Sequence, residues 1–251
     1  MSRLPRRAPA GAGRRPWPPA PGLLDPRNDA RCWGLDAGPA KDARSIEPLV
    51  VARGRYIHLR TFIPQDLAPL ALWAEDPEIE YLVGSDFLRA YREIYDKQPS
   101  FYDAVLADPT QIVLMIVPNA EPDRPVGLTR LFDIHLQDGY ASFETIVADP
   151  RARRRGFGVM AGRLLVCYGI DTLGLRRFES RVYEYNTLSI NGLLRNGFTR
   201  EGVLRKAAFK SGRYWDIIIF GILRDEVEAR RPTDRYQLPA PADEGRVGDA
   251  P

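Results

Sequence analysis

From Arg55 to Phe62 the chain alternates Tyr56, His58, Arg60 and Phe62 with Ile57, Leu59 and Thr61. That is the period of a strand, and Pro64 ends it. Asp66 stands where it can cap a helix carrying Leu67, Leu70, Ala71 and Trp73. Apolar residues three and four apart predict further helices over 87–95 and 101–106. Strands are predicted over 111–117, 126–135 and 140–147. Their links hold Pro, Asn, Asp or Gly, which suits antiparallel hairpins.

After Gly158 the period lengthens. Met160, Leu164, Cys167 and Tyr168 share one helical face, and Gly174 sits where a left-handed C-terminal cap belongs. A strand is predicted over 176–183. Asn186 or Thr187 then caps a short helix whose Ile190, Leu193 and Leu194 are expected to face inward, and Gly197 closes it. Two more strands, 198–209 and 214–223, turn at Lys210-Ser211-Gly212-Arg213. Hairpins followed by a strand–helix–strand unit predict an α/β class with a mixed, mostly antiparallel sheet flanked by helices.

The ends read differently. Residues 1–48 are rich in Pro, Gly, Ala and Arg, and 232–251 are polar and Pro-rich, so both are expected to be disordered around one folded domain spanning 49–231. With 251 residues and 44% hydrophobic residues the chain can fill a substantial core. No apolar run reaches the roughly 20 residues of a membrane span, and no secretory signal is recognised, so a cytoplasmic protein without a membrane partner is expected. A net charge of +3 is too small to imply a nucleic-acid partner. Cys32, Cys167, His58 and His135 have no ligand spacing, so no metal is expected.

The stretch that carries chemistry is Ile146-Val147-Ala148-Asp149-Pro150-Arg151-Ala152-Arg153-Arg154-Arg155-Gly156-Phe157-Gly158-Val159. An apolar strand enters a basic turn, then glycines, then a helix. Gly156 and Gly158 let main-chain amides approach a bulky anion, and the helix start adds unpaired N–H groups and partial positive charge. A pyrophosphate fits such a place. No Lys-Ser or Lys-Thr follows the glycines as in a P-loop, and the third glycine of the dinucleotide fingerprint is missing.

Arg153-x-x-Gly156-x-Gly158 resembles the Gln/Arg-x-x-Gly-x-Gly/Ala motif of the general N-acetyltransferase (GNAT) superfamily. The likeness continues through Leu173-Gly174-Leu175, Asn186-x-x-Ser189, Leu193-Leu194-Arg195-Asn196-Gly197-Phe198, Glu201-Gly202-Val203-Leu204-Arg205 and Gly212-Arg213-Tyr214-Trp215-Asp216. The series is similar to the Rim-type branch, which includes acetyltransferases of ribosomal-protein N-termini and of small-molecule amines. The resemblance implies a sheet splayed between two strands with acetyl-CoA in the gap, serving as co-substrate. It places main-chain groups of Ile146, Val147 and Ala148 on the pantetheine arm, and amides from Arg154, Arg155, Gly156, Phe157, Gly158 and Val159 on the pyrophosphate. Arg151, Arg153 or Arg154 would screen phosphate charge, Asn186 would bond the pantetheine, and Ser189 would serve the departing thiolate. Asn186 and Ser189 also suit plain helix capping.

Two departures stand out. Leu193 occupies the position where many relatives carry a general-acid Tyr, and Ala208 occupies that of a carboxylate used by some Rim-type members. Glu144, on the strand leading to the donor, is the candidate for a water-relayed base; it can equally face solvent or pair with an Arg. Asp216 and Glu184 are weaker candidates. Acceptor contacts are expected from residues 75–87, with Glu75, Asp76, Glu78, Glu80 and Asp86, and from the turn around Ser211. The expected activity is acetyl transfer to a low-pKa amine (a protein N-terminus, an amino sugar or an amino-acid-like metabolite) by a monomer or homodimer. A non-catalytic acyl-CoA sensor is the alternative.

Overall fold

The computed structural model describes residues 46–231. The ends expected to be disordered, 1–48 and 232–251, lie outside the described residues except for 46–48. The described strands are β1 (Val50–Arg53), β2 (Ile57–Thr61), β3 (Ile112–Pro118), β4 (Gly127–His135), β5 (Tyr140–Val147), β6 (Arg177–Tyr183), β7 (Thr199–Lys210) and β8 (Arg213–Leu223). They form one sheet in the order β1-β2-β3-β4-β5-β6-β8-β7. Neighbours run antiparallel except β5 and β6, which are parallel.

Helix α5 (Phe157–Asp171) supplies the crossover that a parallel pair requires. Helices α1 (Leu67–Ala74), α2 (Pro77–Leu82), α3 (Asp86–Arg89, continued by a π turn over Ala90–Ile94) and α4 (Ser100–Ala107) connect β2 to β3. Helix α6 (Thr187–Asn196) lies between β6 and β7, and α7 (Arg224–Arg230) follows β8. Strand β1 and helix α2 were not expected. Val50-Val51-Ala52 shows no alternation, and the acids of Pro77–Leu82 interrupt the spacing of Ile79 and Leu82.

Both faces of the sheet are covered, so β3 is apolar throughout: Leu114 and Ile116 enter the core under α5, while Val113, Met115 and Val117 enter the core under α1–α4. Strand β2 sends Ile57 and Leu59 to the α5 side. His58 and Arg60, opposite Val117 and Met115, go to the other side and are buried. A buried guanidinium needs a partner. Asp66 supplies it, with Oδ2 and Oδ1 accepting from Arg60 Nη1 and Nη2 at 2.6 and 2.7 Å. Its Oδ2 also accepts the Ile63 N–H at 3.0 Å. Asp66 therefore does not cap α1 forward as expected; its carboxylate turns back to neutralise the strand.

Gly174 takes φ +70° at the end of α5, and Gly197 takes φ +91° at the end of α6, as the cap positions require. Of the residues expected inward on α6, Leu193 is buried and Ile190 partly so, but Leu194 is 52% exposed. Cys167 is buried on α5, and burial pushes its thiol pKa up.

Candidate active site

The parallel pair β5–β6 is joined only at Tyr140↔Arg177, Ala141↔Phe178 and Ser142↔Glu179. Beyond that point each strand keeps its outer neighbour: β5 stays on β4 as far as Val147, and β6 stays on β8 as far as Tyr183. The two therefore part, and a cavity of about 270 Å³ opens between them. Phe143, Thr145 and Val147 line it from β5, Ser180 from β6, Gly158 and Val159 from α5, and Asn186, Ser189 and Leu193 from α6. Ile79, Leu82 and Val83, from α2 and the residue after it, roof it.

Strand alternation decides which main-chain groups face this gap. Ala148 donates its N–H to Val126 at 2.9 Å, on the β4 side. Ile146, two residues earlier, turns the same way, so Thr145 and Val147 present their N–H and C=O to the gap. Of the three expected main-chain partners, Val147 faces the gap, with its C=O also accepting from Arg153, while Ile146 and the Ala148 N–H face β4 and the Ala148 C=O turns to Arg153. Thr145 was missed, because the sequence does not say which strand edge is free.

At the mouth the turn after β5 leads into α5. Arg154 and Gly156 adopt φ +61° and +82°. Left-handed residues in a turn of this kind are a feature of anion-binding nests. None of the amides from Arg154 to Val159 makes a well-formed hydrogen bond to an acceptor among the described residues. An added Cβ on Gly156 would meet no protein atom within 4 Å, so within the protein it is the backbone angle that calls for glycine, and the open space lies on the cavity side. Arg154 and Arg155 are exposed, and Arg155 lies 5.0 Å from the Phe157 ring, which is itself buried in the core. Phe157 thus brings an amide to the site and a side chain to the core.

Arg153 is used differently from the expectation. Its guanidinium donates to the carbonyls of Val147 (3.2 Å) and Ala148 (2.9 Å), to Asp76 Oδ2 (3.0 Å) and to Glu78. It clamps the end of β5 to the start of α2 and also lines the gap, so its hydrogen bonds are spent within the protein while its charge stands at the cavity wall.

Asn186 begins α6. Its Oδ1 accepts the Ser189 N–H at 3.0 Å, while Nδ2 donates to Leu82 O and to Ser189 Oγ, both at 2.8 Å. Capping is thus a real part of its role. Both amide protons are in use, which leaves a lone pair on Oδ1 for a ligand N–H.

Glu144 projects to the face opposite Phe143 and Thr145. Its Oε2 accepts from Arg130 Nε at 2.7 Å and from Ser85 Oγ at 2.9 Å. The guanidinium of Arg130 lies 4.1 Å from the Phe132 ring and 5.3 Å from that of Phe87. This network joins β4, β5 and the start of α3, and it leaves Oε1 free.

The acids of 75–86 all have cationic partners: Glu75 with Lys97, Asp76 and Glu78 with Arg153, Glu80 with Arg89, Arg92 and Lys210, and Asp86 with Arg89. They hold α2 and α3 in place. Tyr91 and Phe87 are core residues, whereas Tyr81 stacks on Tyr185 at 4.7 Å. Burial, then the neighbouring Tyr183 and Tyr81, pushes the Tyr185 phenol pKa up, so it stays protonated at neutral pH. The β7–β8 turn does meet α2: Lys210 Nζ donates to the carbonyls of Glu80 and Tyr81. Asp216 Oδ1 accepts the Lys206 N–H, and Glu184 accepts that of Asp216, so both lie in hairpin contacts. No helix among the described residues is long and apolar enough to cross a membrane, and none of their His, Cys, Asp and Glu form a group that could hold a metal.

A mixed sheet opened between its two parallel strands, with free amides at the helix start below the opening, defines the class of fold. A model of the acetyltransferase (GNAT) domain matches residues 57–199, and the chain belongs to that family. Among curated proteins it is similar to alpha/beta-tubulin-N-acetyltransferase 9 of Mus musculus, with 29% identity over 124 residues, 45% of this chain and 49% of that protein. The N-acetyltransferase 9-like protein of Caenorhabditis briggsae is 31% identical over 124 residues, 47% of this chain and 61% of that protein. The match thus spans about half to three-fifths of those relatives. Among solved structures, the Vibrio cholerae spermidine N-acetyltransferase in complex with CoA and spermine shares the fold at TM-score 0.62 and 22% identity, over 68% of this chain and 98% of that one.

Proposed function

We propose that the chain transfers an acetyl group from acetyl-CoA to a primary amine by direct attack. The observation that carries this reading is the parting of β5 and β6 above the unpartnered amides of Arg154–Val159. Acetyl-CoA supplies the activated thioester. The amides of Arg154, Arg155, Gly156, Phe157, Gly158 and Val159 hold its diphosphate, with the exposed Arg154 and Arg155 adding charge. Thr145 and Val147 pair with the pantetheine arm as an added strand would, and Asn186 Oδ1 accepts from it. Together these contacts run the ligand through the gap toward Ser189.

Ser189 Oγ accepts from Asn186, so its own proton is free to turn into the cavity, toward a departing thiolate. Glu144 enters as a base acting through water, from the Oε1 that Arg130 and Ser85 leave free. A base so engaged suits an amine that is easily neutralised. An α-amine of pKa near 7.7 costs about 1 kcal/mol to deprotonate at pH 7, against about 4.6 for a lysine-like amine. The acceptor is therefore a low-pKa amine, and the relatives named as tubulin acetyltransferases favour a protein amine over a polyamine.

The test is thiol release from acetyl-CoA with pooled amines: peptides with free N-termini, amino sugars, amino acids, lysine side chains and polyamines. Turnover on the α-amines and amino sugars is the expected result. Reaction of lysine or polyamine amines alone overturns the acceptor class. Coenzyme binding by calorimetry without any turnover points to an acyl-CoA sensor.

A further inference from the structure

Strands β7 and β8 outrun the sheet. Strand β6 pairs only with Ile217–Leu223 of β8, so Arg213–Asp216 and the β7 residues opposite them project as a two-stranded arm. The outer edge of β7 has no neighbouring strand among the described residues. Between Leu204 and Ala208 the register slips: Arg205, Lys206 and Ala207 bulge out opposite Asp216, with Lys206 at φ +51° and its N–H on Asp216 Oδ1, and all three are exposed. At the tip Phe209 and Tyr214 are 65% and 62% exposed and pack on each other at 5.0 Å between ring centres.

The arm is nevertheless held in a defined place. Ser211 and Gly212, at φ +51° and +79°, make the tight two-residue turn. Lys210 is bound to the carbonyls of Glu80 and Tyr81, Trp215 Nε1 donates to Lys210 O at 3.1 Å, and Trp215 meets the Tyr185 ring edge-on at 4.5 Å. One side of the tip is thus pinned to α2, and the outer edge faces away. An open edge with exposed aromatic residues is a surface for strand-like association.

Charge selects the occupant. Arg200, Arg205, Lys206, Lys210 and Arg213 stand against Glu201 and Asp216 in this hairpin. Glu201 is already paired with Arg177 at 2.5 Å, and Arg200, Arg205 and Lys206 have no ion pair among the described residues. A second copy laid on the same edge would bring these cations against their equivalents, and like charges oppose association. On either side of the bulge the outward N–H and C=O groups of β7 suit a polypeptide backbone, which can form main-chain hydrogen bonds there, while the bulge turns Arg205 and Lys206 outward.

We infer that the β7–β8 arm is a docking surface for an acidic, extended polypeptide segment, which lies along the outer edge of β7 with its carboxylates over Arg205 and Lys206 and its apolar side chains on Phe209 and Tyr214. The surface is separate from the gap between β5 and β6, so its occupation is read without reference to catalysis.

The experiment uses the full chain and a fluorescein-labelled decapeptide of alternating Glu and Val, followed by anisotropy. Saturable binding that weakens with salt is expected. It falls roughly tenfold in Arg205→Glu/Lys206→Glu and in Phe209→Ser, whose thermal melts stay unchanged. An N-methylated form of the peptide, which lacks donors on one edge, binds more weakly. Equal binding of a Lys/Val decapeptide, no binding of the Glu/Val peptide, or tighter binding of a ten-nucleotide oligothymidylate overturns the proposal. So does a concentration-dependent dimer in sedimentation that Phe209→Ser abolishes, because the second copy is then the occupant.

Discussion

Asn186 Nδ2 donates to Ser189 Oγ at 2.8 Å, and the same side chain accepts the Ser189 N–H through Oδ1. The backbone donor fixes which end of the amide is oxygen, so the serine hydroxyl must be the acceptor in the first contact. Its proton is then left to point into the cavity. Ser189→Ala is expected to lower kcat roughly 100-fold with little change in the acetyl-CoA KM or in thermal stability. Steady-state kinetics and melting curves check this; an unchanged kcat removes the hydroxyl from stabilising the departing thiolate by hydrogen bonding. Asn186→Ala, in contrast, loses a helix cap of about 1 kcal/mol and strands Leu82 O, so stability and turnover fall together.

Gly158 separates fold from ligand. A Cβ there would lie 3.4 Å from Val147 Cγ2 and 3.9 Å from Thr145 Cγ2, ordinary contacts, in a helix that tolerates alanine. Gly158→Ala is expected to be as stable as the parent or up to about 1 kcal/mol more stable. The added methyl group nevertheless stands on the cavity wall beside the free amides, and the acetyl-CoA dissociation constant should rise about tenfold or more. Gly156→Ala differs from it in stability. Its φ of +82° makes the substitution cost roughly 1–2 kcal/mol of stability, while its Cβ touches no protein atom. Calorimetry and melts on the two variants distinguish these outcomes.

The Arg60–Asp66 pair is buried on both sides, with side-chain exposures of 5% and 3%. Removing one partner strands a charge beneath α1. Asp66→Ala is expected to cost about 3–5 kcal/mol, and Arg60→Met/Asp66→Leu much less than the sum of its single changes. A double-mutant cycle in denaturant measures the coupling; additive single effects would show that the pair does not act as a unit.

The motifs that act locally were legible in the sequence. Gly174 and Gly197 declare their helix-ending caps, and Asn186 with Ser189 declares a helix start, because each needs only its immediate neighbours; Gly156 reads as a close approach to an anion, which leaves its φ of +82° unforeseen. Strands β3, β4 and β5 were equally plain, since alternating or continuous apolar runs end at turn residues. What the sequence withheld depends on distant partners. Alternation identified β2 but not that Arg60 would be buried, which depends on helices folding over it. The acids of 75–86 were expected to contact the acceptor, yet Arg153, Lys97 and Lys210 reach them from far along the chain. Arg153 lies within the phosphate motif, but its side chain serves α2. Which backbone edge of β5 is free follows from the pairing of three strands, and so Thr145 stayed hidden.

His58 gives the fold a pH dependence of predictable sign. The ring is buried beside β3, and Asn119 Oδ1 lies 3.0 Å from Nδ1. Asn119 Nδ2 donates to the carbonyls of Gly54 and Arg55, so its oxygen faces the ring and Nδ1 carries the proton. Burial lowers the pKa of His58 below 6.5, the Asn119 bond works against that, and Arg53 and Arg60 lower it further. As pH falls below 6.5 the unfolded chain takes up a proton that the folded chain refuses. Stability is therefore lost on acidification until the folded pKa is passed, with a slope of at most about 1.4 kcal/mol per pH unit from this group. His58→Gln keeps a donor for Asn119 but cannot titrate. Denaturant melts at successive pH values should show the variant losing less stability than the parent below pH 6.5, and parallel curves would mean that the ring takes up its proton equally in both states.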